Sequence, residues 1–192
     1  MYLIFDTETT GLPRNYNAPV TDLVNWPRIV QLAFLLADPT GTTISAQEFL
    51  IKPDGFSIPL DATRKHGITT EKARAEGVPL LDALNGFVSA LESATTLVAH
   101  NMAFDEKILG AEFLRAKLPN PLPTARRICT KESATEFCAI PGSYGRPKWP
   151  TLSELHIKLF QRDFKSAHSA GGDVQACADC FFALKSLGVI SA

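Results

Sequence analysis

Four features are scarce in this sequence, and each scarcity excludes something. Cysteine is rare, with four in 192 residues. Cys129 and Cys138 lack metal-ligand spacing. Cys177 and Cys180 form a C-x-x-C, but it lies inside a helical apolar pattern with no second pair nearby. All four are therefore expected to be buried and reduced rather than zinc-binding or redox-active. Long hydrophobic runs are missing, and none approaches the roughly 20 residues that cross a bilayer. The N-terminus lacks a basic region and meets an acid at Asp6, so it does not read as a secretory signal. These absences together imply a soluble chain without membrane association in a reducing, cytoplasmic compartment. Excess charge is also missing: 19 basic residues face 20 acidic ones, with no basic tail to support strong non-specific duplex binding. No repeat, linker or low-complexity segment divides the chain. Residues 1–192 therefore read as one domain, large enough to bury about two-thirds of its unfolded surface without disulfide staples.

What the sequence does contain is concentrated at its start. Tyr2-Leu3-Ile4-Phe5 is an apolar run expected to form a strand buried on both faces, and it leads straight into Asp6-Thr7-Glu8-Thr9-Thr10-Gly11-Leu12. Residues i and i+2 of a strand point the same way, so Asp6 and Glu8 converge while Thr7 faces away. Two like charges 4 Å apart repel by roughly 4 kcal/mol at an effective dielectric of about 20. A hard divalent cation, which favours carboxylate oxygens, would offset that cost. Taken alone, the segment reads equally well as a strand running out into a polar loop.

A polar stretch from Pro13 to Pro27 follows, either a functional loop or a surface insertion. Ile29–Ala37 is a second apolar strand. Asp38-Pro39-Thr40-Gly41 has the composition of a type I turn, and Ile44–Ile51 returns as a third strand, giving an antiparallel hairpin. From Pro79 the period becomes helical through Leu80, Leu84, Phe87, Val88 and Leu91. Leu97-Val98-Ala99 is a short strand. Phe104, Ile108, Ala111, Leu114 and Leu118 mark a helix that stops before Pro119, and Arg127–Thr130 a fifth strand. The irregular piece 140–150 carries Tyr144, Arg146, Lys148 and Trp149, and its composition favours a solvated loop over an extension of a single-strand track. Thr151 and Glu154 have capping-box spacing at the head of one helix, and Val174 to Leu184 mark a last one that Gly188 ends. Three strands, then strands alternating with helices, predict an α/β fold with a mixed five-stranded sheet, an antiparallel hairpin and helices on both faces.

Two further acids recur at element boundaries. In His100-Asn101-Met102-Ala103-Phe104-Asp105, Asn101 suits a helix cap, and Asp105 falls in the first helical turn beyond a strand end, where open α/β sheets bind ligands. A plain N-terminal helix acid fits equally. His168-Ser169-Ala170-Gly171-Gly172-Asp173 spaces a histidine and an acid about 140° apart on one continuous helix at about 100° per residue. Both address one place only if His168 precedes the helix and Asp173 lies in its first turn, with Gly171-Gly172 permitting a close backbone approach.

D-x-E in an FDTETTGL context, N-x-x-F-D and H-x-x-x-x-D, in this order, resemble the DEDDh-type 3′–5′ exonucleases of the DnaQ-like family, whose fold is ribonuclease-H-like. The pattern spans Asp6 to Asp173, and His66-Gly67-Ile68 matches an H-G-I segment common in bacterial members. Cys129-Thr130 departs from the Asp-Thr many members have, outside the catalytic set. The resemblance implies two divalent ions, Mg²⁺ or Mn²⁺, held by Asp6, Glu8, Asp105 and Asp173. It also implies that His168 takes a proton from the attacking water. Thr9, Gly11, Leu12, His66, Asn101 and Phe104 would receive the 3′-terminal nucleotide of a single strand, releasing nucleoside 5′-monophosphates. It leaves open a proofreading subunit with a polymerase partner, a homodimer, and, from another class, a catalytically silent nucleic-acid-binding module. The chain's end shortly after Gly188 leaves no long tether, which favours a stand-alone nuclease.

Overall fold

The computed structural model describes residues 1–164 and 169–191. The apolar opening forms β1 (Tyr2–Thr9). It pairs antiparallel with β2 (Ile29–Ala37), which in turn pairs with β3 (Thr43–Leu50). The hairpin turn falls where its residues predict. The Asp38 carbonyl accepts from the Gly41 amide at 3.1 Å, and the Asp38 carboxylate accepts from the amides of Thr40 and Thr42. β3 is the exposed edge, whereas β2 is buried along its whole length.

Two short helices follow that no sequence period announces, α1 (Leu60–His66) and α2 (Thr70–Glu76). They precede α3 (Leu80–Glu92), β4 (Thr96–Ala99), α4 (Met102–Arg115) and β5 (Arg126–Cys129). Two single-turn helices, α5 (Thr130–Ser133) and α6 (Thr135–Cys138), lead to the irregular 140–150 segment. α7 (Leu152–Phe160) opens with the expected capping box: Thr151 Oγ1 accepts from the Glu154 amide at 3.1 Å, and Glu154 Oε2 from the Thr151 amide at 2.8 Å. α8 (Ala170–Ser186) closes the fold.

The sheet order is β3-β2-β1-β4-β5, with β4 and β5 parallel to β1. This is the mixed five-stranded, ribonuclease-H-like arrangement the sequence predicts. Side-chain alternation along β1 divides the core. Leu3 and Phe5 pack with Phe34, Phe87, Ile108 and Phe113 on the α3–α4 face, while Tyr2 and Ile4 pack with Leu155, Val174, Phe181 and Leu184 on the α7–α8 face. β1 is thus covered on both sides until its polar end emerges. All four cysteines are buried and free, and burial pushes the Cys180 thiol up to about 12. That leaves the C-x-x-C as packing on α8. Among the described residues no helix is long and apolar enough to cross a membrane.

Candidate active site

The alternation that buries β1 also aims its acids. Asp6 and Glu8 continue the row of Tyr2 and Ile4 and therefore face α8, while Thr7 continues the row of Leu3 and Phe5 toward α4. Asp173 lies in the first turn of α8, as the spacing required. One carboxylate oxygen each from Asp6, Glu8 and Asp173 lie within 4.8 Å of one another. Asp105 approaches from the opposite face. It is buried on the first turn of α4, and its Oδ1 accepts from the Thr7 hydroxyl at 2.7 Å. The residue that faces away from the acid pair is therefore the one that orients the fourth carboxylate. Thr7 carries no motif signal of its own, but its position between two same-facing acids at a strand end points to it.

α8 is fixed against the hairpin. Ser169 caps it, with its hydroxyl accepting from the Gly172 amide. The Ala170 amide donates to Gln31 Oε1 at 3.0 Å, and the Gln31 side-chain amide donates to Glu48 Oε1. A Cβ at Gly171 would lie 2.3 Å from Glu48 Oε2, so Gly171 does allow the close approach its sequence context suggested. Gln31 sits opposite Glu8 in the ladder, which ties the start of α8 to the strand that carries the acids. His168 lies outside the described residues.

Burial and mutual repulsion set the electrostatics of the acid cluster. Burial, then the charges of Asp105, Asp173 and Glu8, hold the Asp6 carboxyl far above the usual carboxylate range. Glu8 is pushed up to about 7 by burial and by Asp173 and Asp105, with Lys65 partly offsetting the rise. Burial raises Asp105 to about 7 against the Thr7 hydrogen bond. Buried carboxylates that raise one another in this way match the donor set of a hard, oxygen-seeking divalent ion.

Beside the cluster lies a cleft of about 480 Å³ lined by Thr7–Leu12, Pro59, Asp61, Ala62, Lys65, His66 and Phe104. It gathers five of the six predicted nucleotide-binding residues. Gly11 has φ +148°, where glycine is favoured, and Leu12 is 63% exposed at the rim. The sixth behaves differently. Asn101 occupies the cap position of α4 with φ +103°, a conformation in which its side chain makes no cap hydrogen bond. Its amide oxygen instead accepts from Lys131 Nζ. Lys65 was not foreseen, although it directly precedes His66 on α1.

Each described histidine uses at least one ring nitrogen in a hydrogen bond, and among the described residues the buried Nε2 of His66 is left without a partner. His66 Nδ1 accepts from the Ile68 amide at 3.1 Å, and burial lowers its pKa. His100 bridges Thr130 Oγ1 and the Pro150 carbonyl and is pushed down to about 4, chiefly by burial. The His156 ring, buried on α7, lies 2.8 Å from the Arg162 carbonyl through Nδ1.

The sheet and the acids at the end of its central strand define a nuclease domain of the ribonuclease-H-like class. A family model described as an exonuclease, RNase T, matches residues 3–181, and the chain belongs to that family, within the DnaQ-like 3′–5′ exonucleases. The PolC-type DNA polymerase III of Lactococcus lactis is 29% identical over 181 residues, 94% of this chain and 10% of the polymerase. Escherichia coli exonuclease I in complex with a dT13 oligonucleotide matches with a TM-score of 0.75 at 21% identity, over 96% of this chain and 41% of that one. A zinc-bound form of the same exonuclease with single-stranded DNA matches at 0.72 and 22% identity, over 97% and 40%. The chain thus spans about a tenth of the curated relatives it matches and about two-fifths of the solved structures.

Replacing Thr7 by Val keeps the shape of the side chain and removes the hydroxyl that orients Asp105. Were Asp105 a metal ligand, as the family resemblance implies, loss of its hydrogen-bond partner would cost roughly 10–100-fold in activity or metal affinity. Thr7→Val is expected to lower kcat about tenfold and to raise the metal concentration needed for half-activity, as read from metal titrations of steady-state rate.

Proposed function

We propose that residues 1–192 form one metal-dependent 3′–5′ exonuclease domain that hydrolyses phosphodiester bonds at single-stranded 3′ ends and releases nucleoside 5′-monophosphates. The observation that carries this reading is the convergence of Asp6, Glu8 and Asp173 next to a cleft sized for a nucleotide. All five positions of the family pattern, Asp6, Glu8, Asp105, His168 and Asp173, carry the reactive residue types in the sequence, which argues against a silent binding module.

Asp6, Glu8 and Asp173 would hold the cation site from the β1 and α8 side, and Asp105, steadied by Thr7, would hold it from α4. Two divalent ions, Mg²⁺ or Mn²⁺, would there supply Lewis-acid activation of the attacking water and charge stabilisation at the leaving oxygen. His168, one residue before the Ser169 cap in sequence, would take the proton from that water, a task suited to a pKa near neutrality. His100 is spent on structural hydrogen bonds, His156 is buried on α7 and His66 lines the cleft, and of the four histidines only His168 has the motif spacing of the base. Thr9, Gly11, Leu12, His66 and Phe104 would seat the terminal nucleotide. Apolar contact and stacking tolerate any base, so weak base preference follows. Substrates are argued by analogy with the oligonucleotide complexes of exonuclease I, and a polymerase partner by likeness to PolC-type polymerases. The buried free thiols fit a reducing, cytoplasmic compartment.

The test is a 5′-labelled single-stranded oligonucleotide with Mg²⁺ or Mn²⁺. A ladder that shortens from the 3′ end, is halted by a 3′ block and is abolished by EDTA supports the reading. Degradation of the blocked strand, or turnover that survives EDTA, overturns it.

A further inference from the structure

The 140–150 segment is built in a way its composition does not announce. The Lys148 amide donates to the Ile140 carbonyl at 2.9 Å, and Pro141 bridges Pro147 in antiparallel fashion. A Cβ at Gly142 would fall 2.6 Å from the Arg146 carbonyl oxygen and 2.7 Å from the Lys148 nitrogen, so the two sides close only around glycine. The result is a short two-sided finger rather than an open loop. At its tip Tyr144 takes φ +57° and stands wholly in solvent, 102% exposed, next to Gly145 at φ +73°. Arg146 is exposed beside it.

The base of the finger is anchored at the active site. His100 Nε2 lies 3.1 Å from the Pro150 carbonyl, and its Nδ1 lies 2.9 Å from Thr130 Oγ1. Trp149, 62% exposed, presents its ring to Lys131 Nζ, 4.5 Å from the centroid. That same ammonium donates to Asn101 at the head of α4, and its charge is felt at Asp105. None of Asn101, Lys131 and Trp149 lines the nucleotide cleft. They continue away from it, from the acids toward the finger. Two large aromatics left in water, with cations beside them and a cross-bonded two-sided backbone beneath them, form a surface suited to stacking bases along a negatively charged strand.

We propose that Trp149 and Tyr144, with Lys131 and Arg146, form an upstream track that stacks the bases 5′ of the scissile phosphate. This rests on the exonuclease reading of the acid cluster. Lys131 then has two duties, holding the Trp149 ring in place and meeting the strand's phosphates, and it explains why the Asn101 amide is turned away from capping its helix.

Trp149 can be read directly, because the only other tryptophan, Trp26, is 2% exposed and donates its indole N–H to the Pro19 carbonyl. In the Asp6→Asn background with Mg²⁺, a 12-residue oligothymidylate is expected to quench the exposed-tryptophan emission by at least about a quarter, in step with the anisotropy of a labelled copy. Trp149→Phe should abolish the quench while retaining most of the affinity, and Trp149→Ala should weaken binding about tenfold. In the active enzyme, Trp149→Ala should also lower the ratio of kcat/KM for the 12-mer to that for a dinucleotide at least fivefold, with Trp149→Phe restoring it. Binding seen by anisotropy without quenching, or an unchanged ratio in both Trp149→Ala and Tyr144→Ala, overturns the track and leaves the exonuclease standing. Failure of the native chain to shorten any single strand overturns the exonuclease reading instead.

Discussion

Asp6→Asn is expected to lose at least about a thousandfold in kcat, well beyond the roughly 10–100-fold that loss of an outer-shell partner costs. Asp6 stands at the centre of the cluster. It shares the 4.8 Å group with Glu8 and Asp173 and feels the charge of Asp105 from the other face. An amide keeps the shape and removes the charge a divalent ion needs. The fold should tolerate the change well. Without metal, burial and three neighbouring acids shift the Asp6 carboxyl toward its protonated form, and Asn is close to isosteric with that form. In EDTA at pH 6.5 the variant should therefore melt within a degree or two of the native chain. At pH 9, where the native cluster is forced to ionise, it should melt higher. Mg²⁺ should raise the melting temperature of the native chain and leave the variant nearly unmoved. Calorimetry with and without metal checks both statements. Retained turnover, or a variant that unfolds at pH 6.5, removes Asp6 from this role.

The acids were legible because each sits where a strand ends or a helix begins, and those boundaries are marked by abrupt changes of composition. A buried Tyr2–Phe5 run followed by D-x-E needs no tertiary knowledge to place two carboxylates on one side. The 100° step of a helix placed Asp173 in the first turn only on the condition that it and His168 address one site, and the first turn of α8 is where Asp173 lies. The missed parts share a physical reason. α1 and α2 are seven residues each, too short to show a 3.6-residue period, and they contribute mainly Ala62 and Ala73 to a small separate cluster with Val30, Ile58 and Ile68. A signal for α1 did exist in Pro59 at the start and Gly67 in the left-handed cap, the asymmetry that commonly brackets a helix. Lys65 in the cleft went unread with it. Asn101 was misassigned as a side-chain cap because cap preference is local, whereas its actual partner, Lys131, is thirty residues away. The Thr7–Asp105 bond spans 98 residues and joins β1 to the helix on its α4 face, a contact that alternation alone does not reveal. The finger escaped for the same reason: a Pro- and Gly-rich stretch reads as loose until the cross-contacts of Gly142 are seen.

The metal-free chain is expected to lose stability as pH rises through 7, and Mg²⁺ to restore it only on the alkaline side. Glu8 rises from 4.5 in the unfolded chain to about 7 in the fold and Asp105 from 3.8 to about 7, and burial with the neighbouring charges raises Asp6 in the same direction. Between the unfolded and folded values the native state holds more protons than the unfolded one, so stability falls with increasing pH. Below about 3.8 for the two aspartates and about 4.5 for Glu8 these groups cost nothing; above their folded values the whole cost is present. For Glu8 alone it is on the order of 3 kcal/mol. His100 acts with the opposite sign, since a buried neutral imidazole at about 4, against 6.5 unfolded, adds stability over that interval. Its contribution is complete above 6.5, and it cancels when metal-loaded and metal-free samples are compared at one pH. The magnesium-induced shift in melting temperature is therefore the clean observable. Ions displace protons from the cluster, so binding weakens as the acids protonate. At 100 times its dissociation constant an ion adds about 2.7 kcal/mol, and roughly 2–4 °C accompany each kcal/mol in a domain of this size. A shift of about 5–10 °C at pH 8 should shrink to about 1 °C at pH 5. An equal shift at both pH values would show that the ion binds somewhere other than the carboxylates of Asp6, Glu8, Asp105 and Asp173.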